Sequence, residues 1–245
     1  MWPFKFFLII HIVAGATGLL LFWVPVLGKK GAVPHRYWGK MFCWLMMLTA
    51  SMALSMGVCT LRDPVATHPT LDMAPAMTQA VFGWMMIYLA VLTVSLAWHG
   101  LEVVRNKRNH HRNKRFFAVS LQILVIILAV NCAWQGILID QPLLLGMPTI
   151  GLASAATNLW FSFQNQPPAH AYLMEHVKAL VGTGISVYTA FTAFGAVHLL
   201  PRAALSPITW SIPLVIGVGI IVYHWIRIRA NRTSNKVVSS SVLAS

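Results

Sequence analysis

Residues 105–138 read RNKRNHHRNKRFFAVSLQILVIILAVNCAWQGIL, a block of basic and polar residues followed by 23 residues without a charge. The uncharged run is long enough to cross a bilayer as one helix, which takes about 20 apolar residues. Six further apolar runs lie at residues 4–27, 41–61, 80–104, 143–163, 176–200 and 208–226. The sequence therefore predicts an all-α, polytopic transmembrane helical bundle with about seven spanning helices.

The composition leaves no room for a separate soluble domain. Hydrophobic residues make up 58% of the 245 positions and charged residues only 9%, whereas soluble domains carry about a quarter charged residues. We expect residues 1–232 to form a single transmembrane domain. The segment 233–245 contains the run Ser239 to Ser241 and is predicted to be a disordered cytoplasmic tail.

The basic residues predict how the chain is oriented. With seven spans and the N-terminus outside, 15 of the 18 lysine and arginine residues fall on the cytoplasmic side, against Lys5, Arg62 and Arg202 outside. The run 143–163 is the weakest of the seven because it contains glycines and a proline, and a re-entrant segment there would weaken this asymmetry. The positive-inside rule thus favours seven crossings and a cytoplasmic C-terminus.

The net charge of +13 raises the question of a nucleic-acid partner. The longest basic block extends from Arg105 to Arg115 and joins two apolar runs. A loop in that position is typical of a cytoplasmic connection that contacts anionic lipid head groups. We therefore expect the lipid bilayer, and no nucleic acid, as a partner of this loop.

Several histidines lie in or beside the apolar runs, in a chain with only five carboxylates. An imidazole in lipid needs a partner, because no water is present to hydrogen-bond it. In the seven-span orientation four of these histidines reach a similar depth on the cytoplasmic side, whereas His11 and His198 lie toward the outside. The cytoplasmic group, with an arginine beside it, is the predicted cofactor-binding site: His35, Arg36, His99, His176 and His224.

Two carboxylates lie beside these imidazoles. His99 and Glu102 are three residues apart on one helix face, and Glu175 directly precedes His176. A carboxylate can fix the tautomer of an imidazole that binds a metal. Glu102 and Glu175 are therefore candidates at a metal site, and the imidazole of His11 in the first apolar run is a third candidate metal ligand. Alternatively, each carboxylate makes an ordinary hydrogen bond at the membrane surface.

A b-type haem and a copper path are two forms that such a site could take. A haem needs two imidazoles at one depth with small residues beside them, which His99 with His176 or His224 would supply, and Gly100, Gly182 and Gly184 would give clearance. Thioether and thiolate groups suit Cu(I), and one helix stripe carries Met52, Met56 and Cys59. Methionine stripes also serve as ordinary packing.

The first apolar run carries glycines near its histidine. Gly15 and Gly18 follow His11, and Gly18 lies seven residues on and therefore on the same side of a helix. Small residues in a membrane helix allow a neighbouring helix to come close. We therefore expect a helix packed closely against His11.

Three short motifs follow one another along this chain: His11 with Gly15, then His35-Arg36-x-x-Gly39, then a late run from His176 through Tyr188-Thr189-Ala190-Phe191. This arrangement resembles an uncharacterised bacterial family of predicted multi-pass membrane proteins. The resemblance extends over most of the chain and rests on these short motifs. It implies the topology and directs attention to His11, His35, Arg36 and His176, but it implies no activity or substrate.

Three functions remain open from the sequence. The leading prediction is a multi-pass protein of the bacterial inner membrane with a His-based redox or metal site near the cytoplasmic leaflet that holds a b-type haem, a quinone or a transition metal. The main alternative is a transporter or channel for a small solute or Cu(I). The third is an accessory or assembly subunit of a membrane complex, or a homo-oligomer, with no chemistry of its own.

Overall fold

The computed structural model describes residues 2–195 and 206–243, and in these residues the chain is helical and contains no strand. A helical turn at Pro64–Thr67 and a 3-10 turn at His110–Lys114 lie in connections, and a π-helical stretch at Gln79–Trp84 lies within the long helix Pro75–Arg105. The long helices are α1 Trp2–Leu27, α2 Val33–Arg62, α3 Pro75–Arg105, α4 Phe116–Leu138, α5 Pro142–Phe163, α6 Ala169–Ala193 and α7 Pro207–Leu243.

Six of these helices are long and apolar enough to cross a membrane: α1 to α5, and Ile208–Ala230 of α7. The predicted class, an all-helical membrane bundle, is confirmed to that extent. Helix α6 differs from the others because three polar residues lie close together near its start: Glu175, His176 and Lys178. These polar residues lower its hydropathy and, as shown below, are used inside the bundle.

Prolines and one glycine define several helix starts and turns. Helices α2, α3 and α5 begin with a proline in the first turn, where the missing N–H costs no hydrogen bond. The turn between α1 and α2 contains Gly31 at φ 76°, a left-handed conformation that glycine adopts without strain. Short connections of this kind keep consecutive helices antiparallel neighbours.

Helix α3 is the core of the bundle. Of its most apolar window 78% is buried, compared with 22% for α1 and for α4. It packs against α2, α4 and α6, and it contributes Met85, Tyr88 and Leu92 to the largest cluster of buried apolar residues. A helix that is apolar on all sides is expected in such a central position, so the other helices are arranged around it.

The run with the weakest membrane signal forms one continuous helix, α5, that is long enough to span. Its Gly151 lies against Tyr88, whose hydroxyl oxygen would be only 2.2 Å from a Cβ at that position. The Tyr88 hydroxyl donates to the Met147 carbonyl at 3.0 Å. The glycine therefore makes room for a buried tyrosine of α3, so the small residues of this run serve packing and do not interrupt the helix.

The close helix contact predicted for the first run is present. A Cβ at Gly15 would lie 3.3 Å from Thr49 Cγ2 of α2, and one at Gly18 would overlap the end of the Met46 side chain. Met46 is fully buried and fills the space beside Gly18. This part of the methionine content is thus packing material between α1 and α2.

Helix α7 extends to Leu243. The domain boundary after residue 232 and the disordered cytoplasmic tail at 233–245 stay predictions. His198, predicted on the outer side, lies outside the described residues.

A close contact between α4 and α5 gives a test of the fold. A Cβ at Gly136 would lie 2.9 Å from Leu144 Cβ and 3.0 Å from its carbonyl carbon, so Gly136→Ala should lower stability by about 1 to 3 kcal/mol through overpacking. The measurement is the thermal unfolding midpoint in detergent, followed by a thiol-reactive dye that labels the buried Cys43 and Cys132 on unfolding.

The matched control is Gly219→Ala, since nothing lies within 4 Å of a Cβ at that α7 position. Both variants gain the same intrinsic helix propensity, so their difference reports packing alone. Equal midpoints for the two variants would contradict the described approach of α4 to α5.

Candidate functional site

A cavity of about 380 Å³ opens between α3, the connection after it and the start of α4. Its wall combines an imidazole, amides, two arginines and two aromatic rings, which are Trp98 and Phe117 in edge-to-face contact at 5.1 Å. The lining residues are Trp98, His99, Glu102, Asn106, Arg112, Asn113, Arg115, Phe117, Ala118 and Gln122. Pockets of this volume hold small organic molecules.

His99 connects the cavity wall to a buried ion pair. Its Nε2 lies 3.4 Å from Glu175 Oε2 of α6, and Lys178 Nζ lies 2.5 Å from the same oxygen. The side chains are 7%, 12% and 16% exposed for His99, Glu175 and Lys178. A charge in such surroundings is tolerated only when it is paired, and here Lys178 balances Glu175. Lys178 also donates to Thr157 Oγ1 of α5 at 3.0 Å.

Gly100 leaves the space that this contact between α3 and α6 requires. A Cβ at Gly100 would lie 2.5 Å from Leu180 Cδ2 and 3.2 Å from Ala179 Cβ, so the two helices approach at this residue. His176 Nδ1 donates to the Gly100 carbonyl at 2.7 Å. Neighbouring residues of α3, His99 and Gly100, therefore bind neighbouring residues of α6, Glu175 and His176.

The carboxylate also determines how His99 faces a molecule in the cavity. A carboxylate only accepts, so the Nε2 position of His99 carries the proton that points to Glu175. The hydrogen bond that the structure gives His99 uses Nε2, which leaves Nδ1 for a molecule in the cavity. In the neutral imidazole Nδ1 is an acceptor, and in the imidazolium it is a donor. His99 can thus exchange a proton on the cavity side while Glu175 holds the ring.

Amide side chains form a second part of the wall. Asn106 Nδ2 donates to Asn113 Oδ1 at 2.9 Å and to Glu102 Oε2 at 3.1 Å. Gln122 Oε1 accepts from the fully buried Asn158 Nδ2 at 3.3 Å. The Gln122 NH₂ group is left to donate to a molecule in the cavity.

The connection that carries the cavity mouth is held to α5 and α6. His110 Nδ1 accepts from Asn113 Nδ2 at 3.2 Å, and its ring lies edge-on to Phe161 and Tyr172. Burial lowers the pKa of His110 below its ordinary value, so it is neutral at physiological pH and compatible with this aromatic contact. Arg112 and Arg115 of the same connection are exposed and line the cavity.

The other predicted cofactor ligands form a second group near the end of α1. His35 Nδ1 donates to the Pro25 carbonyl at 3.1 Å, and Lys30 Nζ donates to the same carbonyl at 3.0 Å. These donors satisfy a carbonyl that the end of α1 leaves free. The rings of His35 and His176 lie 6.4 Å apart. Desolvation, and then repulsion from Arg227, lowers the pKa of Lys30.

His224 and Arg36 lie at the edge of this second group. His224 is half-buried on α7 and near enough to Lys30 and Arg227 to feel their charges. Arg36 is exposed. The structure therefore brings His35 and His176 together and places His99 with Glu175, but it does not gather the four predicted histidines around one point.

His11 has a separate role at the contact of α1 with α2. Its Nδ1 donates to the Thr49 carbonyl at 2.9 Å, beside the close approach at Gly15. Glu102, the other isolated candidate, accepts from Arg105 and Asn106. Within residues 2–195 and 206–243, no group of three His, Cys, Asp or Glu side chains is arranged to hold a metal ion.

The glycines predicted to give a haem its clearance are in contact with side chains. Leu180 lies against Gly100, Leu96 against Gly182, and Phe22 against Gly184. In the described part of the chain these glycines therefore serve the packing of α6 against α3 and α1.

The sequence reasoning missed part of the site. Lys178 is one of the 15 basic residues that the sequence places on the cytoplasmic side, and its position three residues after Glu175 is the spacing of a helical ion pair. Gln122 is one of three amides in the apolar run of α4, with Asn131 and Gln135, and a polar residue in a membrane helix usually faces the bundle interior. The amides of Asn106 and Asn113 carry no comparable signal, because they lie in a basic connection.

No family model, curated protein or solved structure matches this chain. The resemblance to an uncharacterised bacterial membrane family therefore stays a prediction, and the residues of the cavity carry the functional argument.

Proposed function

We propose that this protein is a bacterial inner-membrane protein that binds a quinone in the cavity between α3 and α4. The observation that carries the proposal is that His99 lines the cavity while its Nε2 is held by the buried Glu175. A quinone takes up protons when it is reduced and gives them up when it is oxidised, and an imidazole held by a carboxylate is suited to that exchange.

The hydrogen-bonding groups of the wall suit both forms of a quinone head group. The oxidised head has two carbonyl oxygens, which only accept, and Gln122, Arg112 and Arg115 supply donors. The reduced head has hydroxyls, which can donate to His99 Nδ1. Trp98 and Phe117 supply aromatic surface for the ring.

The charge of the buried trio supports a reversible exchange. Glu175 and Lys178 neutralise each other, so His99 is neutral at rest and can accept a proton. The resulting positive charge would lie directly against the Glu175 carboxylate, which stabilises it. No electron carrier is part of this proposal, which concerns binding and proton exchange alone.

The position of the cavity suits a ligand with a lipid-soluble tail. Arg112 and Arg115 belong to the basic connection expected at lipid head groups. Phe117, the aromatic residue at the mouth, is 53% exposed at the start of a lipid-facing helix. A head group can therefore enter while its tail stays among the acyl chains.

A small organic anion is the second candidate, because the two arginines outnumber the one wall carboxylate, Glu102. That candidate corresponds to the solute-transport alternative, and the binding experiment below separates the two. Haem, Cu(I), transition-metal and assembly-subunit functions stay predictions, because the cavity residues give them no specific support.

We further propose seven crossings, with α6 as the remaining span and the N-terminus outside. Helix α6 has 25 residues, about 37 Å at 1.5 Å per residue, which is enough to cross. Its buried charges are paired within the bundle, which reduces the cost of insertion. The connection 106–115 would then be cytoplasmic.

Cysteine labelling tests the orientation. In a chain whose three native cysteines are replaced by serine, Thr70→Cys and Asn109→Cys place a thiol in the exposed connections before and after α3. A membrane-impermeant maleimide added to intact spheroplasts should label the first variant alone, and both after lysis. Labelling of Asn109→Cys in intact cells would contradict the orientation.

Equilibrium binding of a short-tailed quinone and its quinol to the protein in lipid nanodiscs tests the ligand. Wild-type protein should bind both saturably. Gln122→Leu should weaken quinone binding about tenfold, as expected for one lost hydrogen bond in a dry site. Glu175→Gln should weaken quinol more than quinone, because the His99 ring is no longer held with Nδ1 as acceptor.

Gln135→Leu is the matched control, because Gln135 lies on the same helix at its other end and should leave both affinities unchanged. All variants are first shown to be folded by the thiol-dye assay. Failure of the wild type to bind either form, or binding of a small carboxylate anion in their place, would refute the quinone proposal.

A further inference from the structure

Two asparagines are buried in the connection between α3 and α4, although most residues of this connection are exposed. Asn106 is 3% exposed and Asn113 is 4% exposed. Both line the cavity, and their side chains form the middle of a hydrogen-bonded chain that extends from Glu102 to His110. A buried amide needs a partner of the correct donor or acceptor type at each end. The order of donors and acceptors along this chain therefore constrains every member.

The carboxylate at one end fixes the direction of the chain. Glu102 Oε2 only accepts, so Asn106 must present its NH₂ group, which uses its second hydrogen on Asn113 Oδ1. The Asn113 NH₂ group then donates to His110 Nδ1 at 3.2 Å. Reversing the first amide would turn its oxygen toward the carboxylate, and reversing the second would place two donors against each other. The whole chain therefore requires a neutral His110 whose Nδ1 carries no proton.

Proton uptake by His110 and its bond from Asn113 exclude each other, because both need the same lone pair of Nδ1. In the described residues the ring faces the phenol of Tyr172 on α6, Lys114 of its own connection, and backbone carbonyls at the end of α5. Burial, with repulsion from Lys114, lowers the pKa of His110, and the α5 carbonyls oppose this effect. A state in which the ring has left this place binds the proton more tightly, so acid favours that state.

The His110 ring also holds the connection against the bundle. It lies edge-on to Phe161 of α5 at 5.2 Å and to Tyr172 of α6 at 5.6 Å. These two rings form a buried apolar cluster with Val103 of α3, which is fully buried. Phe161 is in turn edge-on to the cavity residue His99 at 6.3 Å. Departure of the ring would uncover this cluster and displace the part of the cavity wall that follows it in the chain.

We propose that the turn His110–Lys114 is a pH-sensitive lid of the cavity, which opens when His110 Nδ1 takes up a proton and releases Asn113. The proton comes from water and returns to it when the pH rises, and no electron is transferred. A ligand in the cavity is then bound less tightly in acid, because the amide and arginine of the turn no longer face it. That consequence rests on the proposed function, whereas the opening of the lid does not.

Thiol labelling beneath the lid tests the proposal without any ligand. In a chain whose native cysteines are replaced by serine, Val103→Cys places a thiol beside the two rings that His110 contacts. A small aromatic disulfide that reacts in acid as well as at neutral pH should label it about tenfold faster at about pH 5 than at about pH 7.5, on either side of the ordinary imidazole pKa, through the loss of one hydrogen bond. A chain that keeps Cys43 alone should stay unlabelled at both pH values, which distinguishes lid opening from unfolding.

His110→Asn is the matched comparison in the Val103→Cys chain. Its carboxamide oxygen can still accept from Asn113 but takes up no proton in this range, so labelling should be equally slow at both pH values.

Glu102→Gln tests the direction of the hydrogen-bonded chain. A carboxamide at this position can donate, so both amides can reverse and Asn113 Oδ1 can accept from the protonated ring. The acceleration in acid should therefore be lost. Arg105→Gln is the control, since it removes the Arg105–Glu102 ion pair without supplying a donor to Asn106, and it should keep the acceleration.

The affinity for a short-tailed quinone in nanodiscs is the second readout, and it should fall about tenfold at the lower pH in wild type, as for one lost hydrogen bond, but not in His110→Asn. The lid is overturned if labelling responds to acid equally with and without His110, or if Glu102→Gln and Arg105→Gln respond alike. Labelling that accelerates in acid in a protein that binds no quinone would support the lid and refute the quinone site alone.

Discussion

The structure depends on the contact of Glu175 with His99 and Lys178 across the helices α3 and α6. A carboxylate inside a membrane bundle is tolerated only with partners close at hand, so the pairing fixes both the rotation and the depth of α6 against the central helix. Gly100 permits the approach, and His176 completes it by binding the Gly100 carbonyl. The same contact holds His99 in the wall of the cavity, so packing and chemistry have one origin.

Much of the architecture follows from the sequence because the bilayer limits the choices. Apolar runs of about 20 residues become helices since no other open structure satisfies the backbone in lipid, and the glycines after His11 predict the close helix found there. The run around Pro148 also forms a helix.

The site was only half predictable. Depth along each helix follows from residue counting, so the sequence predicts His99 and His176 at one level. Helix rotation does not follow from it, because rotation is set by tertiary contacts. The partners of His99 and Gln122 lie 76 and 36 residues away, and nothing local in the sequence selects them. His35 and His11 resembled ligands for the same reason, although each donates to a backbone carbonyl of a neighbouring turn or helix.

Solid-state ¹⁵N NMR of the protein in lipid bilayers, with His99 assigned by comparison with His99→Gln, tests the central contact most directly. The account predicts a neutral ring at pH 7 with the proton on Nε2, an unprotonated Nδ1, and a through-space coupling from Nε2 to the Glu175 carboxylate that Glu175→Gln alters. A ring that exchanges between both tautomers, with no coupling to that carboxylate, would contradict it.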